Sequence, residues 1–323
     1  MHWFLKCFYG YRNLWDEILF RWILDYIAQQ FPDVQSLTIE VQDVAWMEHR
    51  YDTNKKFVSS FSLHHHFSAD FFTGKKQLSF VELSKDIRDN FRYDIYFFGG
   101  WEVFAESRWF HGGRNYVVRY GYALMTKPFV LLGGIETPIG VRQKILYKYL
   151  LPKAHRIVCR DKVSYATALQ YNPQSLQYQD FAITIINYYK QLTRHVDHMH
   201  HLPHKPYVLV NMISSMATEE SFSLIHRFLL KYSDHDIYYV HAWEEDRQYG
   251  ERLIWAYPHT QIYDWTEHTL HDTLQLFSAA DAGIGCRLHF LLLLQEFQKD
   301  RYALVYAEKV TKLITNTITF DSC

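Results

Sequence analysis

The sequence predicts an α/β protein made of two Rossmann-like, doubly wound domains that face each other across a cleft. Three observations support this class. Short apolar runs alternate with longer amphipathic segments along most of the chain, as in β/α units around parallel sheets. Two of the apolar runs end in Gly-Gly. The chain has 323 residues, which is enough for two domains with cores of their own.

The first part of the chain, residues 1–190, is predicted to form the N-terminal domain. An apolar run at 3–8 predicts a strand, and the periodic segment 16–30 predicts the helix after it. Residues 51–80 show no clear periodicity. Three further apolar runs predict strands before glycine or polar turns, at 94–98, 129–132 and 156–159.

The last part, residues 207–323, is predicted to form the C-terminal domain. Between the two parts, residues 191–206 ("QLTRHVDHMHHLPHKP") are polar, rich in His and interrupted by Pro, which is typical of a linker. Strands are expected at 207–211, 236–242, 261–263, 282–286 and 302–306, and helices at 218–232, 244–256, 270–279, 288–297 and from 308 onward.

Composition limits the class of protein. The 34 basic and 35 acidic residues nearly cancel, which argues against nucleic-acid binding through overall charge. No apolar run approaches the roughly 20 residues that span a bilayer. The 18% aromatic content fits a thick core, an oligomer or partner surface, or a sugar-binding groove. The cysteines are scattered without a CxxC pair, which indicates reduced thiols in a cytoplasmic protein: Cys7, Cys159, Cys286 and Cys323.

Two glycine pairs follow predicted strands, Gly99-Gly100 and Gly133-Gly134. Glycine at such a position lets backbone N–H groups approach an anion closely. Neither pair forms GxGxxG, so the dinucleotide fingerprint is missing. Taken alone, each pair is better explained by a simple turn than by a ligand site.

The segment "VCRDKVS" places Arg160 and Asp161 at a strand end and Ser164 near a helix start. The guanidinium of Arg160 could bind a carboxylate or a phosphate through two parallel hydrogen bonds. A local Arg–Asp pair or a helix cap explains the same residues.

The segment "GIGCRLHFLLLL" (283–294) carries the strongest signal for a site. Arg287 and His289 are predicted in the first turn of a helix, after a strand end flanked by Gly283 and Gly285. Arg287 offers a fixed positive charge, and His289 can carry a proton near neutral pH. The N–H groups of that helix start would help to hold a phosphate. A histidine bonded to a backbone carbonyl is the alternative, but Arg and His together at a sheet's carboxyl edge favour a functional site.

The histidine clusters do not predict a metal site. They lack the cysteine or carboxylate spacing of zinc frameworks, and a solvated linker is the favoured interpretation, although His198 and His201 could share a metal. The clusters are His64–His66 and His195, His198, His200, His201 and His204.

These motifs, taken in order, resemble the polysaccharide pyruvyl transferase family from the first residues almost to the last. "YGYRNLWDEILF" (9–20) is similar to a family turn "GxxNxGDE", and "YDIYFFGG" and "VLLGGIETPIG" to its glycine-rich strand ends. "VCRDKVS" resembles the family's "xRDxxS" segment, with a later Asp matched by Asp180. "CRLHFLLLL" and "YAEKV" resemble its "RLH" helix start and "Y-x-x-K-V" element.

Two features depart from the family pattern. Trp15 stands where the family has Gly in "GDE", so we expect a rebuilt turn, because Trp tolerates a positive φ poorly. The chain also ends soon after 306–310, which is early for a closing helix that crosses back to the first domain.

The resemblance implies a GT-B-like fold and a transfer reaction. The pyruvyl group of phosphoenolpyruvate is joined to sugar hydroxyls as a ketal, and phosphate is released. The implied acceptor is a glycan or polysaccharide precursor, often lipid-linked, so peripheral membrane contact through the acceptor is conceivable. No metal or organic cofactor is required.

The resemblance also assigns roles to residues. Phosphoenolpyruvate is a compact anion, so Arg160 and Arg287 are expected to bind it, and His289 is the candidate acid that protonates C3. The base for the sugar hydroxyl stays open among Glu102, Glu136 and Asp161. Further donor contacts are expected at Gly133, Gly134, Gly285 and Lys309, and acceptor contacts at Asn13, Asp16, Glu17 and Glu102. Helix capping alone would also explain Asp16.

Two other functions fit the same pattern. A GT-B glycosyltransferase would use a nucleotide-sugar donor in place of phosphoenolpyruvate. A non-catalytic relative that binds sugars would keep the fold without the reaction.

Overall fold

The computed structural model divides into two units: Met1–Tyr11 with Leu19–Phe181, and Arg12–Ile18 with Ala182–Cys323. Most of the predicted linker, residues 191–204, lies outside the described residues, and the predicted domain limits stay a prediction. The structure describes residues 2–6, 12–33, 36–41, 43–51, 56–59, 93–100, 124–179, 183–184, 186–187, 189–190, 205–213, 218–243 and 246–304.

The first unit contains a parallel sheet. Its described strands are β1 (His2–Lys6), β2 (Ser36–Val41), β3 (Lys56–Ser59), β4 (Ile95–Gly100), β5 (Phe129–Gly133), β6 (Arg156–Cys159) and β7 (Leu176–Gln177). They pair in the order β3-β2-β1-β4-β5-β6-β7, and every pair is parallel. The chain therefore winds outward on one side of β1 and then on the other, so the switch point of this doubly wound sheet lies between β1 and β4.

The inner strands of the first unit, β1, β4 and β5, are mostly apolar because parallel strands inside a sheet are buried on both faces. Every residue of β5 is buried. Two charges lie on neighbouring strands: Lys6 and Glu40 are opposite each other in the β1–β2 register and form a salt bridge. Glu40 is fully buried, so its charge depends on this partner.

The α-helices before the second sheet whose bounds are described are α1 (Leu14–Gln30), α2 (Val44–Arg50), α3 (Val141–Leu150) and α4 (Lys162–Leu169). Asp43 caps α2 by accepting a hydrogen bond from the backbone N–H of Trp46 at 3.0 Å. Helix α1 is buried along most of its length, and its exposed residues are Arg21 and the last three, Ala28–Gln30. Within the described residues, every helix is too short or too polar to cross a bilayer.

The second unit repeats the winding of the first. Its described strands are β8 (Tyr207–Asn211), β9 (Asp236–His241), β10 (Thr260–Asp264), β11 (Ala282–Gly285) and β12 (Asp300–Ala303), and its helices are α5 (Glu219–Lys231), α6 (Arg247–Ala256), α7 (Leu270–Ala279) and α8 (Leu288–Glu296). The parallel order β10-β9-β8-β11-β12 places the switch point between β8 and β11. The predicted pair of doubly wound domains is confirmed.

The carboxyl ends of β4 and β5 depend on two glycines. Gly100 and Gly133 are opposite each other in the register, with φ angles of 140° and 151°. A Cβ atom on Gly133 would lie 1.9 Å from the carbonyl oxygen of Gly100. Glycine is therefore required at Gly133 by the backbone itself, with or without a ligand.

We expect Gly133→Ala to destabilise the first unit by about 3 kcal/mol, because the new methyl group meets a backbone oxygen that cannot withdraw. Gly140→Ala is the matched control, since Gly140 has a φ of −88° that alanine adopts readily. Urea denaturation followed by tryptophan fluorescence measures both. Equal losses in the two variants would contradict the backbone requirement.

Candidate active site

Arg287 and His289 lie where strand β11 passes into helix α8, at the carboxyl edge of the second sheet. Arg287 is the N-cap residue of α8, and His289 is in its first turn. Strand β11 borders β8 at the switch point, where open α/β sheets bind ligands. The strand and the helix predicted for this segment agree with the structure.

Two glycines let α8 pack closely on β11. A Cβ atom on Gly283 would lie 2.5 Å from the side chain of Leu294, and one on Gly285 would lie 2.7 Å from the ring of Phe290. Close helix packing thus explains Gly285 without a ligand, and its predicted contact with the donor stays a prediction.

The guanidinium of Arg287 is held by a forked ion pair. Its Nε donates to Oδ2 of Asp246 at 2.8 Å, and its Nη2 donates to Oδ1 at 2.7 Å. Asp246 is buried, and its backbone carbonyl accepts a hydrogen bond from the hydroxyl of Tyr239 at 2.8 Å. The indole of Trp243 lies 5.6 Å from the guanidinium carbon. The plane of the guanidinium is therefore set before any ligand binds.

His289 packs against an aromatic side chain from the start of α1. The imidazole and the indole of Trp15 have ring centroids 5.7 Å apart and are inclined by 36°. Trp15 is buried, and His289 is only 8% exposed. The indole thus restricts the orientation of the imidazole.

Two hydrogen bonds join the start of α1 to segments that follow strands β9 and β10 of the second sheet. The N–H of Leu14 donates to the carbonyl of Ala242 at 3.1 Å, and the Nε1 of Trp265 donates to the carbonyl of Arg12 at 3.1 Å. Among the residues of the turn before α1 that the structure describes, Arg12 has a left-handed backbone, with a φ of 54°. Trp15 is the second residue of the helix, so the strain expected at Trp15 does not arise there.

Asn13 caps α1. Its Oδ1 accepts from the N–H of Trp15 at 3.1 Å, and its carbonyl accepts from the N–H of Glu17 at 3.1 Å. The capping role considered for Asp16 therefore belongs to Asn13. Asp16 and Glu17 are buried in the first turn, where the helix dipole favours negative side chains. Their acceptor contacts stay predictions.

A second charged pair, which no sequence motif indicates, lies at the ends of β9 and β10. His241 and Asp264 are register partners, and Nδ1 of His241 lies 3.3 Å from Oδ2 of Asp264. The backbone N–H and the hydroxyl of Thr266 donate to Asp264 at 3.0 and 2.6 Å. Burial alone would raise the pKa of Asp264, but the hydrogen bonds from His241 and Thr266 hold that pKa well below its ordinary value.

In the first unit, Asp161 caps helix α4. Its two carboxylate oxygens accept hydrogen bonds from the N–H and the hydroxyl of Ser164, at 2.8 and 2.7 Å. Arg160 Nε lies 3.7 Å from the same carboxylate. The hydroxyl of Ser164 also accepts from the N–H of Ile135, just after Gly134, at 3.0 Å. The local pair and the helix cap considered for this segment are both present, and a ligand contact of Arg160 stays a prediction.

The predicted site residues are distributed over both units. Gly133, Gly134, Arg160 and the candidate bases Glu136 and Asp161 lie in the first unit, whereas the others that are described lie in the second: Asn13, Asp16, Glu17, Gly285, Arg287 and His289. Glu102 and Lys309 lie outside the described residues, as do Asp180 and the histidine clusters.

Metal-ligand groups and reactive thiols were sought among the residues that the structure describes. There, no group of three or more His, Cys, Asp or Glu residues is arranged to hold a metal ion. Burial raises the pKa of the Cys159 and Cys286 thiols to about 12, so neither is a ready nucleophile.

Comparison with known proteins adds a family and a fold. The sequence model described as polysaccharide pyruvyl transferase matches residues 16–293. Among functionally curated proteins, no sequence matches significantly. The fold is similar to that of an S. aureus MnaA–UDP co-structure, at 11% identity and a TM-score of 0.58 over 94% of this chain and 79% of that one. It is also similar to UDP-GlcNAc 2-epimerase from Neisseria meningitidis bound to UDP-GlcNAc, at 9% identity and a TM-score of 0.57 over 97% and 85%.

These structural likenesses show the fold alone, since one architecture carries many activities. They confirm the predicted GT-B class.

Removing either partner of the Arg287–Asp246 pair should destabilise the second unit by about 3 kcal/mol, because the other charge would remain largely buried without it. Arg287→Met and Asp246→Leu test this by urea denaturation. The double variant should lose clearly less than the sum of the single losses. Strictly additive losses would show that the two side chains are not coupled.

The depressed pKa of Asp264 predicts a stability that depends on acidity. A carboxyl whose pKa falls on folding stabilises the protein above its ordinary value of 3.8 and loses that contribution as the pH falls toward the folded value. Asp264→Asn should therefore be less stable than the wild type at neutral pH, and the gap should narrow below pH 3.8. Urea denaturation across this range measures the gap, and a constant gap would contradict the assignment.

Proposed function

The chain belongs to the polysaccharide pyruvyl transferase family, and on this premise we propose that it transfers the pyruvyl group of phosphoenolpyruvate to sugar hydroxyls. The product is a cyclic ketal on a glycan or polysaccharide precursor, and phosphate is released. One observation carries the proposal: a fixed guanidinium and an imidazole stand together at the switch point, within the segment that the family match covers.

Donor binding is assigned first to Arg287. Phosphoenolpyruvate carries a carboxylate and a phosphate, and a guanidinium recognises either group through charged hydrogen bonds. Because Asp246 already fixes the guanidinium, little side-chain ordering is needed on binding. The N-terminus of α8 adds partial positive charge beside it.

His289 is assigned as the general acid. It gives a proton to C3 of phosphoenolpyruvate, so that the CH2 group becomes CH3 and C2 becomes electrophilic. One sugar hydroxyl oxygen bonds to C2, the C2–O bond to phosphate breaks, and the second hydroxyl oxygen bonds to C2 to close the ketal. Of the two hydroxyl protons, one balances the proton consumed at C3 and the other leaves with phosphate. Contact with Trp15 holds the imidazole for this transfer.

The remaining roles complete the proposal. Asp161 is the weakest candidate base, since both of its oxygens accept hydrogen bonds from Ser164, which leaves Glu102 and Glu136. Further donor contacts are proposed at Arg160, Gly133, Gly134, Gly285 and Lys309, and acceptor contacts at Asn13, Asp16, Glu17 and Glu102.

The site of action is proposed to be the cytoplasm. The cysteines that the structure describes, Cys159 and Cys286, are free thiols, which suits a reducing compartment. The reaction requires no resident metal or organic cofactor.

Isothermal calorimetry tests donor choice directly. We expect phosphoenolpyruvate to bind and UDP-GlcNAc to leave the heat signal unchanged. UDP-GlcNAc is included because the Neisseria structure contains it. Tight binding of the nucleotide sugar, with no response to phosphoenolpyruvate, would favour a glycosyltransferase instead.

Two substitutions should change different kinetic constants when phosphate release is measured with an acceptor. Arg287→Lys should mainly raise KM for phosphoenolpyruvate, because an ammonium group keeps the charge but loses the fork. His289→Gln should mainly lower kcat, by about 10² to 10⁴, as for the loss of a general acid. If His289→Gln bound phosphoenolpyruvate and turned over at the normal rate, His289 would not be the general acid.

A further inference from the structure

Helix α3 of the first unit presents a row of apolar side chains to solvent. Val141, Ile145 and Tyr149 recur every four residues and are 72%, 52% and 60% exposed. Ile139, just before the helix, is 85% exposed. We call these four residues the α3 ridge. Large apolar side chains are commonly exposed singly, but a continuous row along one helix indicates a surface that binds something.

The α3 ridge lies on the outer face of helix α3. Gln143, Tyr147 and Leu150 are buried and attach the opposite face to the core. At about 100° per residue, the exposed apolar positions lie within one quarter of the helix circumference. Replacing them with polar residues therefore leaves the core contacts in place.

Cations border the ridge on both sides. Helical spacing places Arg142 on one side and Lys144 and Lys148 on the other, and all three are exposed. Helix α3 contains no acidic residue. Just beyond the helix, Nζ of Lys153 lies 3.5 Å from the sulfur of exposed Met125, which continues the same combination of charge and apolar surface.

The positive charge is local to this region. The whole chain has a formal charge of −1, whereas helix α3 carries the exposed cations Arg142, Lys144 and Lys148 and no acidic residue. An anionic partner is therefore attracted to this face and not to the protein as a whole.

We propose that the α3 ridge docks the protein on an anionic lipid surface. The apolar side chains enter the region between head groups and acyl chains, and the lysine and arginine stems extend to the phosphates. Tyrosine is favoured at that depth, because its ring is apolar and its hydroxyl remains hydrated.

Two other occupants fit the ridge less well. Protein interfaces are depleted in lysine at their cores, yet lysines border this ridge along its length. A symmetric dimer through the ridge would place the same cations of two copies against each other. The charge pattern thus selects a negatively charged lipid surface.

The proposal goes beyond the transfer reaction and does not depend on the donor. It suits a lipid-linked acceptor, since docking would bring the enzyme to the surface where such an acceptor lies. Vesicle binding is measured without donor or acceptor, so its outcome is separate from that of the proposed function.

Co-sedimentation of the full chain with vesicles tests the docking. We expect strong binding to phosphatidylcholine vesicles that contain about 30% phosphatidylglycerol, and binding at least tenfold weaker to phosphatidylcholine alone. Raising the NaCl concentration from about 0.05 M to about 0.5 M should weaken the binding to the anionic vesicles.

Variants test whether vesicle binding depends on the α3 ridge or on exposed aromatic side chains in general. Ile145→Ser with Tyr149→Ser should reduce partitioning by about tenfold or more. Lys144→Gln and Lys148→Gln should each reduce it by about fivefold. Trp255→Ser is the matched control, because Trp255 is exposed on α6 of the second unit, and it should bind as the wild type does.

Several outcomes would overturn the proposal. They are no binding to anionic vesicles at low salt, equal binding to both vesicle types, and equal losses in the ridge and control variants. If the ridge substitutions instead dissociated a dimer in analytical ultracentrifugation and left vesicle binding unchanged, the ridge would be an interface between copies. Circular dichroism melting confirms that each variant is folded.

Discussion

The forked ion pair between Arg287 and Asp246 is the interaction on which the candidate active site depends. A largely buried guanidinium needs a counter-charge, and a carboxylate that accepts two parallel hydrogen bonds supplies it together with a fixed orientation. Asp246 is in turn positioned by Tyr239 through its backbone carbonyl. Because this arrangement exists before any ligand binds, the anionic donor that we propose would meet a guanidinium that needs little reordering.

Glycine has two different physical uses at the strand ends of this protein. Gly133 has a backbone conformation that a side chain would not tolerate, and its Cα lies too close to the carbonyl of Gly100 for a Cβ atom. Gly283 and Gly285 instead make room for the side chains of helix α8. The first use keeps the ends of β4 and β5 close together, and the second lets α8 pack closely on β11. Both places lie at the carboxyl edge of a sheet, where α/β proteins bind ligands.

Charge is distributed unevenly in a chain that is nearly neutral overall. Carboxylates with fixed partners lie at several strand and helix ends, among them Glu40, Asp246 and Asp264. The exposed cations of α3, in contrast, border an apolar row and have a different use. The net charge alone would conceal both features, since the buried pairs cancel and the surface cations are balanced elsewhere.

The sequence by itself determined most strands and helices of the second unit, and β1, α1, β4, β5 and β6 of the first, because apolar runs and helical periodicity are local properties of the chain. It did not indicate β2, α2, β3, α3 or β7, which only the tertiary structure shows. It also determined that Arg287 and His289 follow a strand end. The partners of these residues were decided by the tertiary structure: Asp246 is 41 residues away from Arg287, and Trp15 comes from another helix. The same holds for His241 and Asp264, which pair through the register of two strands, and for Arg12, whose left-handed backbone accompanies a hydrogen bond from Trp265. Such contacts form only after sheet order has brought distant segments together, so no local pattern records them.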